Sequence, residues 1–427
     1  MSGSSETQSG HRGNAAHEAG LPGLRQRYAE LAAALPLPDL RTESWHYGRP
    51  DKFLPEQLTQ GISPQASNRS LHVADMLQHA GPAIVLRLGI EGLECLQGSM
   101  EDFGGSISLL DEHAGFSEHP ALQGWLESLN QRESDKLEAE QLSRLQRVML
   151  LDMSANSEGG LPLHLIVDMP GAGLYRSEQI VVNAQSGSAC SLHLHITGDD
   201  IEEQSLLHLG LHLELADNSS LKLLRYQNTG THCDVRGIET QHLGRDARCT
   251  SVSLFVGGRH LRHDAITSLA GPGSESVLRG LYHMGGRQTA SIFSHQDHRV
   301  ANAHSDLLFK GTMLDRSAAS YLGQITVAPD AQGTDAYQSN RSLLLSPKAR
   351  SSSSPQLEIE ANDVRCSHGA SVANVSSEEL FYLESRGIDP ETGRQLLVSG
   401  FLAEVADLVP EGRLREYVYG DMLGRRV

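Results

Sequence analysis

Cys366 and His368 are separated by a single residue. In an extended backbone both side chains project from one face, with Cα atoms roughly 6.5–7 Å apart. A thiolate and an imidazole so placed can converge on one iron or zinc ion, at metal–ligand distances of about 2.0–2.3 Å. Gly369 relieves backbone crowding just after the pair. Two ligands are half of a tetrahedral shell, so the others must come from elsewhere in this chain, from a second chain or from sulfide. From spacing alone the alternative is structural, a buried thiol beside a hydrogen-bonded histidine.

The other candidates are weaker. The chain holds 21 histidines. His193 and His195 oppose Leu192, Leu194 and Ile196 on one strand-like segment, and His208 and His212 oppose a leucine row. They read as outward, solvated strand residues, because no carboxylate or thiol accompanies them at ligand spacing. His295, Asp297, His298, His304 and Asp306 form a denser group without a fixed metal motif. No G-x-x-x-x-G-K-[ST] phosphate loop and no G-x-S-x-G elbow occurs. Gly257-Gly258 and Gly285-Gly286 read as β-turns rather than phosphate cradles, and no carboxylate pair stands out for glycoside chemistry.

Composition sets the frame for these residues. A formal charge of −18, from 53 acidic and 35 basic residues, disfavours a nucleic-acid or anionic-membrane surface. Five cysteines at 95, 190, 233, 249 and 366 include no C-x-x-C pair, which fits a reducing compartment rather than a disulfide framework. No stretch approaches the roughly 18–20 apolar residues of a membrane span. The first twenty residues, MSGSSETQSGHRGNAAHEAG, carry no signal-peptide run, so a cytoplasmic location and a disordered tail over 1–20 are expected.

The elements that must position Cys366 and His368 follow from periodicity. Leu24, Tyr28, Leu31 and Leu35 recur at helical spacing, and Gln123 to Leu151 reads as mostly helical, so 21–160 is a mixed, mostly helical N-terminal domain. Leu207, Leu209, Leu211, Leu213 and Leu215 alternate strictly with other residues and mark a strand with one face buried. Polar turns at Gly187, Asp217, Gly244, Gly271, Gly286 and Asp315 recur at intervals of 30, 27, 27, 15 and 29 residues. Such turn-plus-strand units point to a stacked β-helix, with a β-sandwich as the alternative. A last strand is expected over Gln356 to Ile359, after the Ser351–Ser354 connection, and the β core over 161–370. The remainder, 371–427, is helical. Ser376 and Glu379 form an S-x-x-E capping box, Gly387 sits where a left-handed C′ residue ends the helix, and Asp389-Pro390 opens the next. Leu397, Phe401, Val405 and Leu408 form its expected apolar stripe, which must dock on this chain or a partner.

Three long runs carry a resemblance. Pro355 to Ala370 reads PQLEIEANDVRCSHGA, Glu379 to Ile388 reads ELFYLESRGI, and Thr334 to Leu345 reads TDAYQSNRSLLL. Together they resemble the SufB/SufD family of iron–sulphur cluster assembly proteins. The strong match covers roughly the last third of the chain. Arg41 to Tyr47, RTESWHY, is similar to a segment common in the SufD branch, and Cys-Ser-His-Gly-Ala is characteristic of it. Arg365 stands where Lys is more usual and Ser371 where Thr is; neither change removes a ligand.

The resemblance implies a right-handed parallel β-helix core flanked by helical N- and C-terminal parts. It implies pairing with a SufB-like subunit and docking of a SufC-like ABC-type ATPase on the C-terminal helices, at Glu379, Phe381, Tyr382, Arg386 and Gly387. The chain itself is then a non-catalytic scaffold. Cys366 and His368 match residues placed at the β-helix interface, where iron or a nascent cluster visits transiently and no cofactor is stably bound. A SufB-like role, holding the cluster on this subunit alone, and a β-helix enzyme acting on a polysaccharide are the alternatives.

Overall fold

Leu207, Leu209, Leu211, Leu213 and Leu215 all point into one interior, and that interior is the lumen of a parallel β-solenoid. The computed structural model describes residues 20–424 apart from 40, 46–47, 64, 79–80, 90–91, 113–115, 117–118, 158–159 and 411. The expected disordered tail lies outside these residues, except Gly20, which begins the first helix.

Two sheets form the solenoid walls. The first runs from Gly105–Leu110 through Val148–Met153, Leu174–Ala184, Ser205–Leu215, Cys233–Leu243, His260–Leu269, Thr289–His298 and Ala318–Val327 to Arg350–Ile359. The second runs from Leu93–Gln97 through Ile84–Leu88, Leu163–Asp168, Ala189–Gly198, Ser220–Thr229, Arg248–Gly257, Glu275–Met284, His304–Met313 and Thr334–Leu344 to Val364–Asn374. Among the described residues only the pairs at the starting edges, Gly105–Leu110 with Val148–Met153 and Ile84–Leu88 with Leu93–Gln97, are antiparallel. Each coil contributes one strand to each sheet, and stacked partners lie 26 residues apart at Asp234 and His260 but 32 at Ala318 and Arg350.

That geometry explains the uneven turn spacing. Gly187, Asp217, Gly244 and Gly271 lie in connections along one corner of the solenoid, whereas Gly286 and Asp315 lie along the opposite corner. The 15-residue step is therefore half a coil. Along the first corner a left-handed residue recurs on successive coils: Asn156, Gly187, Asn218, Asp246, Gly273, Asn302 and Gly333. Asn, Asp and Gly tolerate that conformation best, which is why the turns were legible as polar residues.

The lumen is leucine-rich in the earlier coils and aromatic further on, where Phe255, Tyr282, Phe309 and Tyr321 are fully buried. Each fully buried Leu or Phe contributes about 1.5–3 kcal/mol relative to exposure, so the stacked interior carries the fold. The walls are covered on both outer faces. Helices α1 (Gly20–Ala34), α3 (Gln123–Gln131) and α4 (Lys136–Ser143) lie on the first sheet's side, where Tyr28, Trp125 and Leu142 cluster with Leu150 and Val181. Helix α2 (Asn68–Gln78) packs on the second sheet with the C-terminal helices. Trp45 of the RTESWHY segment is buried; its Nε1 donates to Asp135 at 3.1 Å and Arg262 stacks over its ring at 4.2 Å. His46 and Tyr47 of that segment lie outside the described residues.

Several expectations need correction. Val148–Met153 is a strand rather than a continuation of helix, because Met149, Leu151 and Met153 face the lumen. The last first-sheet strand begins at Arg350, so Ser351–Ser354 belongs to it. His193, His195, His208 and His212 do face outward but are buried, because helices and the N-terminal segment cover both outer faces. His208 is bonded to the Tyr175 hydroxyl and the Phe53 carbonyl, and burial holds its imidazole down at about 3. His195 and His164 share a 3.0 Å hydrogen bond.

Candidate functional site

The solenoid's later end is open. Arg350–Ile359 and Val364–Asn374 each pair with a neighbouring strand on one side only, leaving one edge of both sheets free. Free edges offer unpaired N–H and C=O groups to another strand. Register places Cys366 against Ala336 and His368 against Gln338. Ala336 and Gln338 are buried lumen residues, so Cys366 and His368 occupy the same inward row on the final coil. Their shared face, expected from spacing, is the mouth of the lumen.

The two residues differ in setting. Cys366 is half-buried against a small apolar cluster that includes Ile325, Val327, Ala336 and Leu357. Burial pushes its thiol pKa up, the Asp335 carboxylate pushes the same way, and a hydrogen bond from the Ala336 backbone acts against both. Burial and the Asp335 charge therefore both favour the neutral thiol over the thiolate. His368 is exposed. Directly below it, both amide atoms of Gln338 are buried without partners. Buried polar atoms left unbonded cost about 1–3 kcal/mol each, so the lumen mouth carries unspent bonding capacity. Ala336 and Gln338 lie in the TDAYQSNRSLLL run; a coil length of 30 residues, applied to that run, would have brought them beside the pair.

Helix α5 (Ser377–Ser385) starts just beyond the open strand and buries none of its residues. Ser376 caps it, its hydroxyl accepting from the Glu379 N–H at 3.2 Å. Gly387 ends it at φ 85°, with Gly387 N–H bonded to the Glu384 carbonyl and Ile388 N–H to that of Leu383. The Schellman-type end needs the left-handed glycine. Phe381 is 72% exposed and Tyr382 57%, with Arg386 lying 5.2 Å from the Tyr382 ring. Helix α6 (Pro390–Ala406) instead docks through Val398, Leu402, Val405 and Ala406, with Val409 just beyond its end. That stripe is turned from the expected Leu397, Phe401, Val405 and Leu408: Leu408 is exposed, and Phe401 covers Lys310 at 4.7 Å. A further helix, α7 (Arg413–Gly424), completes the outer layer.

The histidine-rich group does not assemble. His295 bonds to Thr326, Asp297 pairs with Arg299, His298 bonds to Ser305 inside the lumen, and Asp306 pairs with Arg279. Among the described residues no group of three His, Cys, Asp or Glu side chains is arranged to hold a metal by itself.

Residues 168–401 match the family model described as SUF system FeS cluster assembly, SufBD core domain. The chain belongs to the SufBD core family. It is 34% identical over 185 residues to the iron-sulfur cluster assembly protein SufD of Escherichia coli, covering 43% of this chain and 44% of that one. It is 28% identical over 292 residues to an iron-sulfur cluster assembly SufBD family protein of Mycobacterium leprae, covering 61% and 74%. A third SufBD family protein, from Synechocystis, is 32% identical over 179 residues, covering 41% and 40%. The aligned region thus spans under half the length of two of these relatives. The chain thus shares its core domain with a family of iron–sulphur cluster assembly proteins, and that core is the β-solenoid. No helix among the described residues is long and apolar enough to cross a membrane.

Proposed function

We propose that this chain is a SufD-like, non-catalytic scaffold subunit that joins a SufB-like partner through its open solenoid end. The observation that carries the reading is the position of Cys366 and His368, in the inward row of a final coil whose strand edges are free. A second solenoid meeting that edge would cover the lumen mouth and add the missing ligands to iron or a nascent cluster, held transiently as cargo.

Helix α5 serves in this reading as the dock for a SufC-like ABC-type ATPase, with exposed Phe381 and Tyr382 as anchors and Glu379, Arg386 and Gly387 shaping the surface. Exposed aromatics of this kind are enriched at interface hot spots. Nucleotide-driven movement of the ATPase would pull on α5, which follows directly on the strand bearing Cys366 and His368, and so open the site. The complex works in the cytoplasm, and the chain itself hydrolyses nothing.

The test is co-expression with both partners, comparing wild type with Cys366→Ser, His368→Ala and Phe381→Ala. The site variants should assemble normally yet mature clusters at least tenfold more slowly, whereas Phe381→Ala should lose the ATPase. Normal maturation by both site variants would sink the proposed site.

A further inference from the structure

On a chain of net charge −18, one concave surface is basic. A cleft of about 530 Å³ opens at the corner where the connections Gly230–His232, Gly257–Arg259 and Gly285–Gln288 stack on successive coils beside the short 3-10 helix Pro50–Phe53. Arg49, Lys52, His232, Arg259, His260 and Arg287 line it. Asp51 neutralises one charge, bonded to both Arg49 and Lys52 at 3.0 Å. Arg259 and Arg287 are exposed and form no ion pair with any described carboxylate. Such a surplus of cations in a concavity focuses positive potential.

The turns themselves leave no backbone cradle. Gly258 N–H is bonded to the Thr229 carbonyl, Arg259 N–H to that of Cys233, Gly285 N–H to Gln288 Oε1 and Gly286 N–H to Asp315 Oδ2. Gln288 Nε2 also donates to the Gly258 carbonyl at 2.7 Å, bracing the two arginine-bearing turns against each other. Recognition must therefore come from side chains, on a rigid frame. His260 supplies the independent sign of a ligand. It is only 8% exposed, its Nδ1 is bonded to Thr289 Oγ1 at 2.7 Å, and its Nε2 has no partner.

We propose that this cleft is a binding site for a small, multiply charged oxyanion, held by Arg259, Arg287 and Lys52 with His260 Nε2 as the buried polar contact. Guanidinium groups match the oxygens of carboxylates and phosphates in paired hydrogen bonds, and those of Arg259 and Arg287 are left outside the ion pairs that Asp51 makes with Arg49 and Lys52. The site is independent of the solenoid mouth and of any partner there.

His260 also reports on occupancy. Burial first, then the charges of Arg259, Lys52 and Arg49, hold its imidazole down at about 4, with Asp51 acting weakly the other way. Behind it, Asp234 accepts from the His260 backbone N–H and from Gln204, and burial pushes that carboxyl up to about 7. An anion among these cations would offset their field and raise the His260 pKa.

Titration of the full chain with pyrophosphate and, separately, citrate, followed by calorimetry and the His260 imidazole NMR signal, tests the site. Saturable binding that weakens with salt, moves His260 upward and falls at least tenfold in an Arg259→Gln/Arg287→Gln variant is expected. Both arginines are exposed, so that variant should melt as wild type does. Pyrophosphate alone binding assigns the site to phosphate compounds, and citrate alone to polycarboxylates. Saturation by neither probe, or binding indifferent to the double variant, overturns the proposal.

Discussion

Gly311→Ala should destabilise the chain from a position that touches neither candidate site. Gly311 lies in the lumen opposite Tyr282, and Gly280 opposite Phe309, so each ring rests on a neighbouring glycine. A Cβ at 311 would sit inside the van der Waals reach of Tyr282 Cε2 and Cζ, and the ring is fully buried with nowhere to retreat. The Tyr282 hydroxyl reaches across Gly311 to bond Asn340 at 3.2 Å and Ser342 at 3.1 Å, on the strand that underlies Cys366 and His368. Overpacking costs about 1–3 kcal/mol, and each lost hydrogen bond about 0.5–1.5 kcal/mol. The sum is about 2–6 kcal/mol for Gly311→Ala, against about 1–3 kcal/mol for Tyr282→Phe, which removes the two bonds but keeps the ring. Gly400→Ala is the opposite case. Gly400 is exposed within α6 and an added Cβ meets nothing within 4 Å, so the change should stabilise by about 0.5–1 kcal/mol. Urea unfolding followed by fluorescence should rank the midpoints Gly400→Ala, wild type, Tyr282→Phe, Gly311→Ala. A Gly311→Ala midpoint at or above wild type would refute the ring-on-glycine packing.

Two further outcomes test the outer layers. Leu402 is fully buried between α6 and the second sheet with Leu281 and Leu308, so Leu402→Ala should cost about 2–5 kcal/mol, whereas Leu396→Ala, at a half-exposed position, should stay within about 0.5 kcal/mol. Hydrogen exchange should show the loss concentrated over α6 and α7; equal effects of the two changes would contradict the docking stripe. Glu214 accepts from His242 at 2.7 Å and contacts His212 at 3.3 Å; burial acts to raise its carboxyl, and these bonds outweigh it, holding it at about 2. The bond to Glu214 raises the His242 pKa despite burial. The His242 contribution to stability is therefore complete below the ordinary imidazole pKa of about 6.5 and lost as pH rises through the raised value. The Glu214 contribution is complete above about 4.3 and lost as pH falls towards 2. Glu214→Gln should return His242 to the ordinary imidazole range by NMR titration, and an unchanged His242 would break the assignment.

Much of this was legible because the solenoid repeats local rules. Period two in Leu207 to Leu215 fixed the lumen face, and Asn, Asp and Gly at turns fixed one corner of each coil. What escaped depended on layers added outside the walls. His193 and His208 alternate with lumen leucines, as solvated residues would, and only the helices lying over them make them buried. The register of α6 escaped because Phe401 and Leu408 are as apolar as Leu402, and packing on Lys310 and the sheet decides between the faces. Ser351–Ser354 has no β-branched or apolar residue, yet pairing with Ala318–Val327 makes it a strand. At the open end, the shared face of Cys366 and His368 was visible from spacing, while Ala336 and Gln338 beneath them needed the coil length to be known.

The most direct test of the central claim is alkylation of Cys366 in the free chain and in a complex with the SufB-like subunit proposed as its partner. Among the five cysteines, Cys95 is exposed and Cys366 half-exposed, while Cys190, Cys233 and Cys249 are buried. Cys95 therefore serves as an internal reference on the same molecule. In the free chain both thiols should react, Cys366 more slowly because its pKa is raised. In the complex Cys95 should react as before and Cys366 should be protected, with access returning when the ATPase turns over. A Cys366 that reacts equally fast, free and in the complex, would contradict a shared site at the open end of the solenoid.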